Sequence, residues 1–252
     1  HGLLVAALTP PVNRVVALNA IADTVVFDPG GEREHAVTLT PFHFKGAADR
    51  PGTAPAPCTF TRGVEASWVY RIETPAGEGF VTKTVHLFDK RNAIAVVYEV
   101  RAPGRVRLTL RPLTALRDFH ELIRGEAIAG YHQARPVEGG VMCATRGAGL
   151  HLVCEEAAYR QDPDIWHDLE YARDAERGQA SVEDMFSPGE FVIEGEGSVS
   201  ATLHASVDAM EPGPLEWDRT ARTTRVRTRI ETTLSRTPNA TGADRDAIAR
   251  LV

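Results

Sequence analysis

Four consecutive side chains, Arg117, Asp118, Phe119 and His120, bring a guanidinium, a carboxylate, an aromatic ring and an imidazole together. They stand where the strand-like alternation that ends in Val106-Arg107-Leu108-Thr109-Leu110 breaks down. A strand running out into such residues holds polar groups rigidly at the mouth of a sheet, where loops carry function. The same residues admit a plainer role, in which Asp118 caps the Glu121–Arg124 turn with Arg117 as its ion partner.

A second polar cluster lies downstream. Trp166-His167-Asp168-Leu169-Glu170-Tyr171 leads through Asp174 and Glu176 to Glu183-Asp184. Rings at Phe119, Tyr131, Trp166 and Tyr171 and carboxylates at Asp118, Asp168, Glu170, Asp174, Glu183 and Asp184 suit carbohydrate chemistry. Sugar sites use aromatic platforms and planar hydrogen-bonding groups, and glycosidases use paired carboxylates. Ser181, two residues before Glu183, reads equally well as a helix N-cap.

Other chemistries lack their spacing. No Gly-x-Ser-x-Gly elbow is present, and Ser206 and His204 share one strand. None of the nine histidines lies in His-x-His, His-x-x-x-His or His-Glu-x-x-His spacing, so no metal or other cofactor is expected. His86 and His204 sit mid-strand and read as packed or surface histidines. The Gly147–Gly149 and Gly195–Gly197 pairs lack the later glycine and helix of a phosphate cradle, and read as turns.

The elements that must position these groups are strands. Leu3–Leu8, Arg14–Asn19 and Thr24–Asp28 are short apolar runs separated at Thr9-Pro10-Pro11 and Ala20–Asp23, and Glu34–Thr40 returns as a hairpin. Pro41–Pro57 reads as loop. Ala66–Glu73, with Trp68, Tyr70 and Ile72 on one face, Phe80–Phe88, Ala93–Arg101 and Arg105–Arg111 form a meander, turning at Ala102–Gly104. Val141–Thr145 and Leu150–Glu155 form another hairpin, and Glu190–Ile193 and Val199–Ser206 close the strand series. Strands at about ten-residue spacing indicate an all-β sandwich. From Leu215 arginines and threonines dominate, as expected of an exposed, partly helical linker.

At 252 residues the chain can bury one large core. A net charge of −6 argues against nucleic acid as partner, and the longest apolar runs are too short to cross a membrane as a helix. Three cysteines, Cys58, Cys143 and Cys154, cannot all pair; they read as buried thiols of a reducing, cytoplasmic compartment, although Cys143 and Cys154 are placed to face each other across a hairpin. The chain opens on His1 already in a strand pattern and closes inside the helical pattern Asp244–Val252, which suggests a fragment of a longer protein.

Several segments, in order, resemble the N-terminal domain of bacterial and archaeal glycogen debranching enzymes. His1-Gly2-Leu3-Leu4-Val5-Ala6-Ala7-Leu8 with Pro10-Pro11-Val12-Asn13-Arg14 is similar to the start of that domain. Arg117-Asp118-Phe119-His120 is similar to its Arg-Asp-Tyr-His motif, with Phe119 in place of tyrosine. Glu170-Tyr171 through Glu176-Arg177-Gly178, then Glu183-Asp184 and Phe186-Ser187-Pro188-Gly189, is similar to its second signature.

The resemblance implies a galactose-mutarotase-like supersandwich over residues 1–210, a linker over 211–243, and at 244–252 the first helix of an (α/α)6 barrel. That barrel would carry the catalytic acid and base, hydrolyse α-1,6 branch stubs and in some members transfer α-1,4-glucan. It would be this domain's partner, and branched α-glucan the substrate. The fragment itself is then expected to be inactive. Arg117, Asp118, Phe119, His120, Glu170, Tyr171, Glu183 and Asp184 become candidates for contact with glucan or barrel. Phe119 lacks the tyrosine hydroxyl, so that position loses a sugar hydrogen bond and keeps a ring for stacking. A free-standing β-sandwich glycan-binding module, and more weakly a mutarotase-like enzyme, are the alternatives.

Overall fold

A computed structural model describes residues 2–10, 12–46, 57–125, 128, 132–208, 219–236 and 241–242. Tyr131 and the Asp244–Val252 pattern lie outside the described residues. The strands are β1 (Leu4–Thr9), β2 (Val12–Phe27), β3 (His35–Thr38), β4 (Thr59–Arg62), β5 (Ala66–Thr74), β6 (Gly77–Leu87), β7 (Ala93–Asp118), β8 (Gln133–Val137), β9 (Gly140–Ala144), β10 (Gly149–Val153), β11 (Ala158–Glu170) and β12 (Val182–Ser206). Two helices, α1 (Ala172–Glu176) and α2 (Arg219–Ser235), complete the described elements. Every ladder is antiparallel.

Two long strands organise the rest. The first half of β7 pairs with β6 and with Ser198–Ser206 of β12, whereas its second half pairs with β2 and with Phe186–Glu196. The sheet thereby splits into two facing layers. One carries β4, β5, β6, β10, β9 and β8; the other carries β1, β2, β3 and β11. Alternation places Ile94, Val96, Tyr98, Val100, Val106, Leu108 and Leu110 of β7 on the core side, all at 1% exposure or less. This is an all-β sandwich, as its strand spacing implies.

Two expected breaks lie instead inside continuous strands. Ala102–Gly104 faces Gly197 alone, because Arg101 pairs with Ser198 and Arg105 with Glu196. Gly104 and Gly197 sit at φ 78° and 73°, so glycines and a proline that signal a turn serve a bulge here. Ala20–Asp23 stays in β2, its residues in register with Leu113–Leu110. Ser187-Pro188-Gly189 likewise interrupts the β12 register rather than ending the strand; a Cβ on Gly189 (φ 145°) would strike the Arg160 carbonyl. The acidic–aromatic stretch before Glu170 lies in strand β11, whose register shifts between Gln161 and Asp164 and again between Trp166 and Leu169.

Asp23 survives inside β2 because the opposite layer neutralises it. Lys83 Nζ lies 2.5 Å from Asp23 Oδ2, and the Tyr98 hydroxyl donates to the same oxygen at 2.9 Å. The backbone N–H of Thr40 supplies Oδ1 at 2.9 Å. Burial first, then the Asp23 charge, pushes the Tyr98 phenol well above its ordinary range.

The cysteine expectation needs one correction. Cys143 and Cys154 are buried, and burial pushes both thiols up to about 12. They do not face each other: Cys143 stands opposite Leu150, and Cys154 lies beyond the end of β10. Cys58 is exposed, just before the edge strand β4, whose four residues are all exposed. Among the described residues no helix is long and apolar enough to cross a membrane.

Removing one partner of the Asp23–Lys83 pair strands a buried charge. Asp23→Asn or Lys83→Met alone should each cost about 3–5 kcal/mol in guanidinium unfolding, and the double variant should recover most of that loss.

Candidate functional site

The Arg117–His120 segment is aimed by a bulge. Val16 pairs with Arg117 and Leu18 with Thr114, so Ala115 and Leu116 together oppose Ala17. Leu116 takes φ 46° while only 2% exposed, a strained backbone held by packing on every side. One residue later, Arg117 turns inward and is 5% exposed.

Arg117 meets Glu183 as a planar fork on a carboxylate: Nε donates to Oε1, and Nη2 to Oε2 at 2.8 Å. Glu183 is fully buried. Tyr171 donates its hydroxyl to Glu183 Oε2 at 2.6 Å and accepts Asn19 Nδ2 at 2.8 Å. Burial and the Glu183 charge raise the Tyr171 phenol, which stays a donor at neutral pH. Arg117 Nη1 reaches forward to the carbonyls of Asp118 (3.0 Å) and Phe119 (3.4 Å), tying the pair to the chain that follows. Arg117 is therefore the ion partner of Glu183, not of Asp118, because the bulge points its side chain into the sandwich while Asp118 points out.

Asp118 caps a turn, but one that runs from Asp118 to Glu121 rather than the expected Glu121–Arg124. Its Oδ1 accepts the His120 N–H at 2.8 Å, and its carbonyl accepts the Glu121 N–H at 3.3 Å. Phe119, 37% exposed, meets His120 edge-on with ring centroids 5.3 Å apart. Asp118, Phe119 and His120 are thus an exposed tip on a buried mount. A cleft of 340 Å³ beside them is lined by Asn13, Asp118, Glu121, Ile123 and Gly147 among others.

Glu183 and Asp184 are neighbours on β12, so their side chains leave on opposite faces. Asp184, 3% exposed, accepts the Gly125 N–H on Oδ2 at 2.7 Å and the Asp168 N–H on Oδ1 at 2.8 Å. His167 Nδ1 lies 3.1 Å from Oδ2, and the Asp184 N–H donates to the Ile123 carbonyl at 2.8 Å. One carboxylate thereby fixes both the loop after the tip and the bulge of β11, where Asp168 sits at φ 60°. Arg124 closes the same junction by pairing with the Asp168 carboxylate. Burial pushes the Asp184 carboxyl up, but the two N–H donors and His167 outweigh it and hold it below the ordinary range.

The remaining candidates separate from the tip. Glu170 is half-buried, donates its N–H to the His43 carbonyl at 2.8 Å, and lines a different cleft of 370 Å³ with Tyr171 and Arg173. Trp166 packs on Phe42 and Phe44, with centroids 5.4 and 6.1 Å away, and serves that cover rather than a platform. Asp174 lies in α1. Ser181 caps no helix, because β12 begins at Val182. The sequence reading missed Asn19; its signal is a lone amide in the apolar run Val15–Ala22. No group of three or more metal-binding side chains occurs among the described residues.

Arg117→Ala leaves Glu183 buried and unpaired, and should cost about 3–5 kcal/mol by denaturant unfolding, against about 1 kcal/mol or less for Asp118→Ala. The folded Asp184 carboxyl titrates below its unfolded value near 3.9, so its contribution is complete above that pH and lost as pH falls through the folded value. In acid melts below about pH 4, Asp184→Ala should therefore lose less stability with falling pH than the parent chain.

No curated protein matches the chain. Among solved structures, a polysaccharide lyase aligns with a TM-score of 0.37 at 15% identity over 75% of this chain; the chain spans 25% of that lyase. The family model described as glycogen debranching enzyme N terminal matches residues 1–202. That match takes in the Arg117–His120 tip, its Glu183 mount and the Asp184 clamp, and the chain belongs to the family of glycogen debranching enzyme N-terminal domains.

Proposed function

We propose that this chain is the non-catalytic N-terminal domain of a cytoplasmic glycogen debranching enzyme, supporting a separate (α/α)6 catalytic domain and lending its Asp118–His120 tip to the rim of the α-glucan site. The mounting of the tip carries this reading. A fully buried, bidentate Arg117–Glu183 pair, a strained Leu116 and the Asp184 clamp fix a short exposed segment from three sides. Such rigidity has a use when the groups it presents must meet something outside the domain with defined geometry.

What the tip presents suits a sugar. Asp118 Oδ1 is taken by the turn, while Oδ2 has no partner among the described residues and is an acceptor for a hydroxyl. Phe119 offers a ring for stacking, and His120 an imidazole beside it. In branch-stub hydrolysis one carboxylic acid protonates the glycosidic oxygen while a second carboxylate activates water on the other face of the ring. Both belong to the catalytic domain in this reading. Glu183 is unsuited to either role, since Arg117 and Tyr171 occupy it and no solvent reaches it.

In the full-length enzyme, Asp118→Ala should lower branch-point hydrolysis by about 10-fold or more, with unfolding stability within about 1 kcal/mol of the parent. Phe119→Ala should act in the same direction. Intact hydrolysis combined with lowered stability in Asp118→Ala would make the tip a structural turn only.

A further inference from the structure

One cross-strand row on the inner face of β4–β7 changes character from edge to centre. Phe60, Trp68, Lys83 and Tyr98 stand opposite one another in register. Exposure falls along it from 53% at Phe60, through half-buried Trp68, to 7% at Lys83 and 0% at Tyr98. The Phe60 and Trp68 rings lie 5.0 Å apart. The row thus leads from solvent to the buried Asp23–Lys83 pair.

The opposing layer leaves room above it. Along the outer edge of β2, the β1 ladder reaches Leu18 and the β3 ladder begins at Thr24. Among the described residues only the Leu3 N–H on the Asn19 carbonyl and the Leu39 N–H on the Asp23 carbonyl flank the gap at Ile21. A cavity of 280 Å³ opens there, lined by Trp68, Tyr70 and Lys83 from one layer and Ile21, Leu39 and Thr40 from the other, among others. It shares no lining residue with the cleft beside Asp118.

The polar groups of this cavity are partly unspent. An ammonium has three donors. Lys83 gives one to Asp23 Oδ2 (2.5 Å) and one to Thr40 Oγ1 (3.2 Å), while the third has no oxygen or nitrogen acceptor among the described residues and Nζ lies 5.5 Å from the centre of the Tyr98 ring. The Tyr70 hydroxyl has no partner among the described residues either, and burial with the Asp23 charge keeps it protonated. Charge then selects the ligand. Asp23 already neutralises Lys83, so an entering anion would meet a buried carboxylate without a free cation, and an entering cation would meet the ammonium. A neutral ring satisfies both sides, with a C–H face on Trp68 and hydroxyl oxygens for the two free donors. At 280 Å³ the cavity lies just under the ~300–1,000 Å³ of small-molecule clefts, which suits one ring rather than a chain.

We propose that this inter-layer cavity binds a single pyranose ring of a neutral saccharide, stacked on Trp68 and hydrogen-bonded by Lys83 and Tyr70. The inference rests on the cavity's own lining and not on the role given to the Asp118–His120 tip. It is tested by titrating the whole chain with glucose and with maltose, followed by calorimetry and saturation-transfer NMR, with inorganic phosphate as an anionic probe. Both sugars should bind saturably in the millimolar range. Trp68→Ala should weaken binding by about 10-fold or more. Tyr70→Phe, which keeps ring and packing, should weaken it by about 3- to 10-fold, the loss of one hydrogen bond. Phe80→Ala, an exposed ring on the opposite face of β6, should leave binding unchanged. Lack of saturation with either sugar up to about 100 mM, equal affinity in Tyr70→Phe, or displacement of sugar by phosphate would each overturn the proposal. Those outcomes leave the hydrolysis test of Asp118 unaffected, since the two experiments read different sites.

Discussion

The β7–β12 ladder is the constraint from which the other elements follow. These two strands are the ones that run through both layers, held together from Thr114–Phe186 at one end to Ala93–Ser206 at the other. Where the sheet must pass from one layer to the other, the ladder does not break but takes up extra residues at Ala102–Gly104. The remaining strands join this spine directly, as β2, β6, β10 and β11 do, through one neighbour, as β1, β3, β5 and β9 do, or through two, as β4 and β8 do at the ends of one layer. Register along the spine therefore decides which side chains face the core throughout the sandwich.

Among the described residues two ion pairs have both partners buried, and they differ in kind. Asp23 and Lys83 link the two layers across the core, and their neutralisation is internal. Arg117 and Glu183 lie at the end of the spine, and the guanidinium also holds the carbonyls of the exposed turn. The first pair fixes the spacing of the layers. The second carries the order of the interior out to a surface segment, so that the Asp118–His120 turn inherits the precision of the sheet although it is exposed.

The fold class was legible because strand alternation with period two follows directly from core burial, and Trp68, Tyr70 and Ile72 face inward as their spacing implies. Strand ends were not legible. Ala102-Pro103-Gly104 and Ser187-Pro188-Gly189 have turn chemistry, and the same glycine and proline preferences serve bulges within long strands, where only pairing partners distant in sequence decide between the two. The site was half legible. Arg117, Asp118, Glu183 and Asp184 were marked by residue type, and Asp118 caps a turn as its type suggests, though the turn closes at Glu121 instead of starting there. Their partnerships were not marked, because a bulge at Leu116 reverses where Arg117 points and nothing local signals it. Lys83 left a trace that went unread: it shares the inward phase of Val81 and Val85, where a lysine requires a buried anion.

The spine is also a matter of timing. Thr114 and Phe186 are separated by 72 residues. As the chain leaves the ribosome, β7 has β2 and β6 to pair with on one side, while its other edge awaits β12. At roughly 5–20 residues per second, that interval lasts about 4–15 s. An unpaired strand edge of such length is a template for other chains. The connectivity that ties both layers to one ladder thus leaves the nascent domain with a long uncovered edge until β12 closes the sheet.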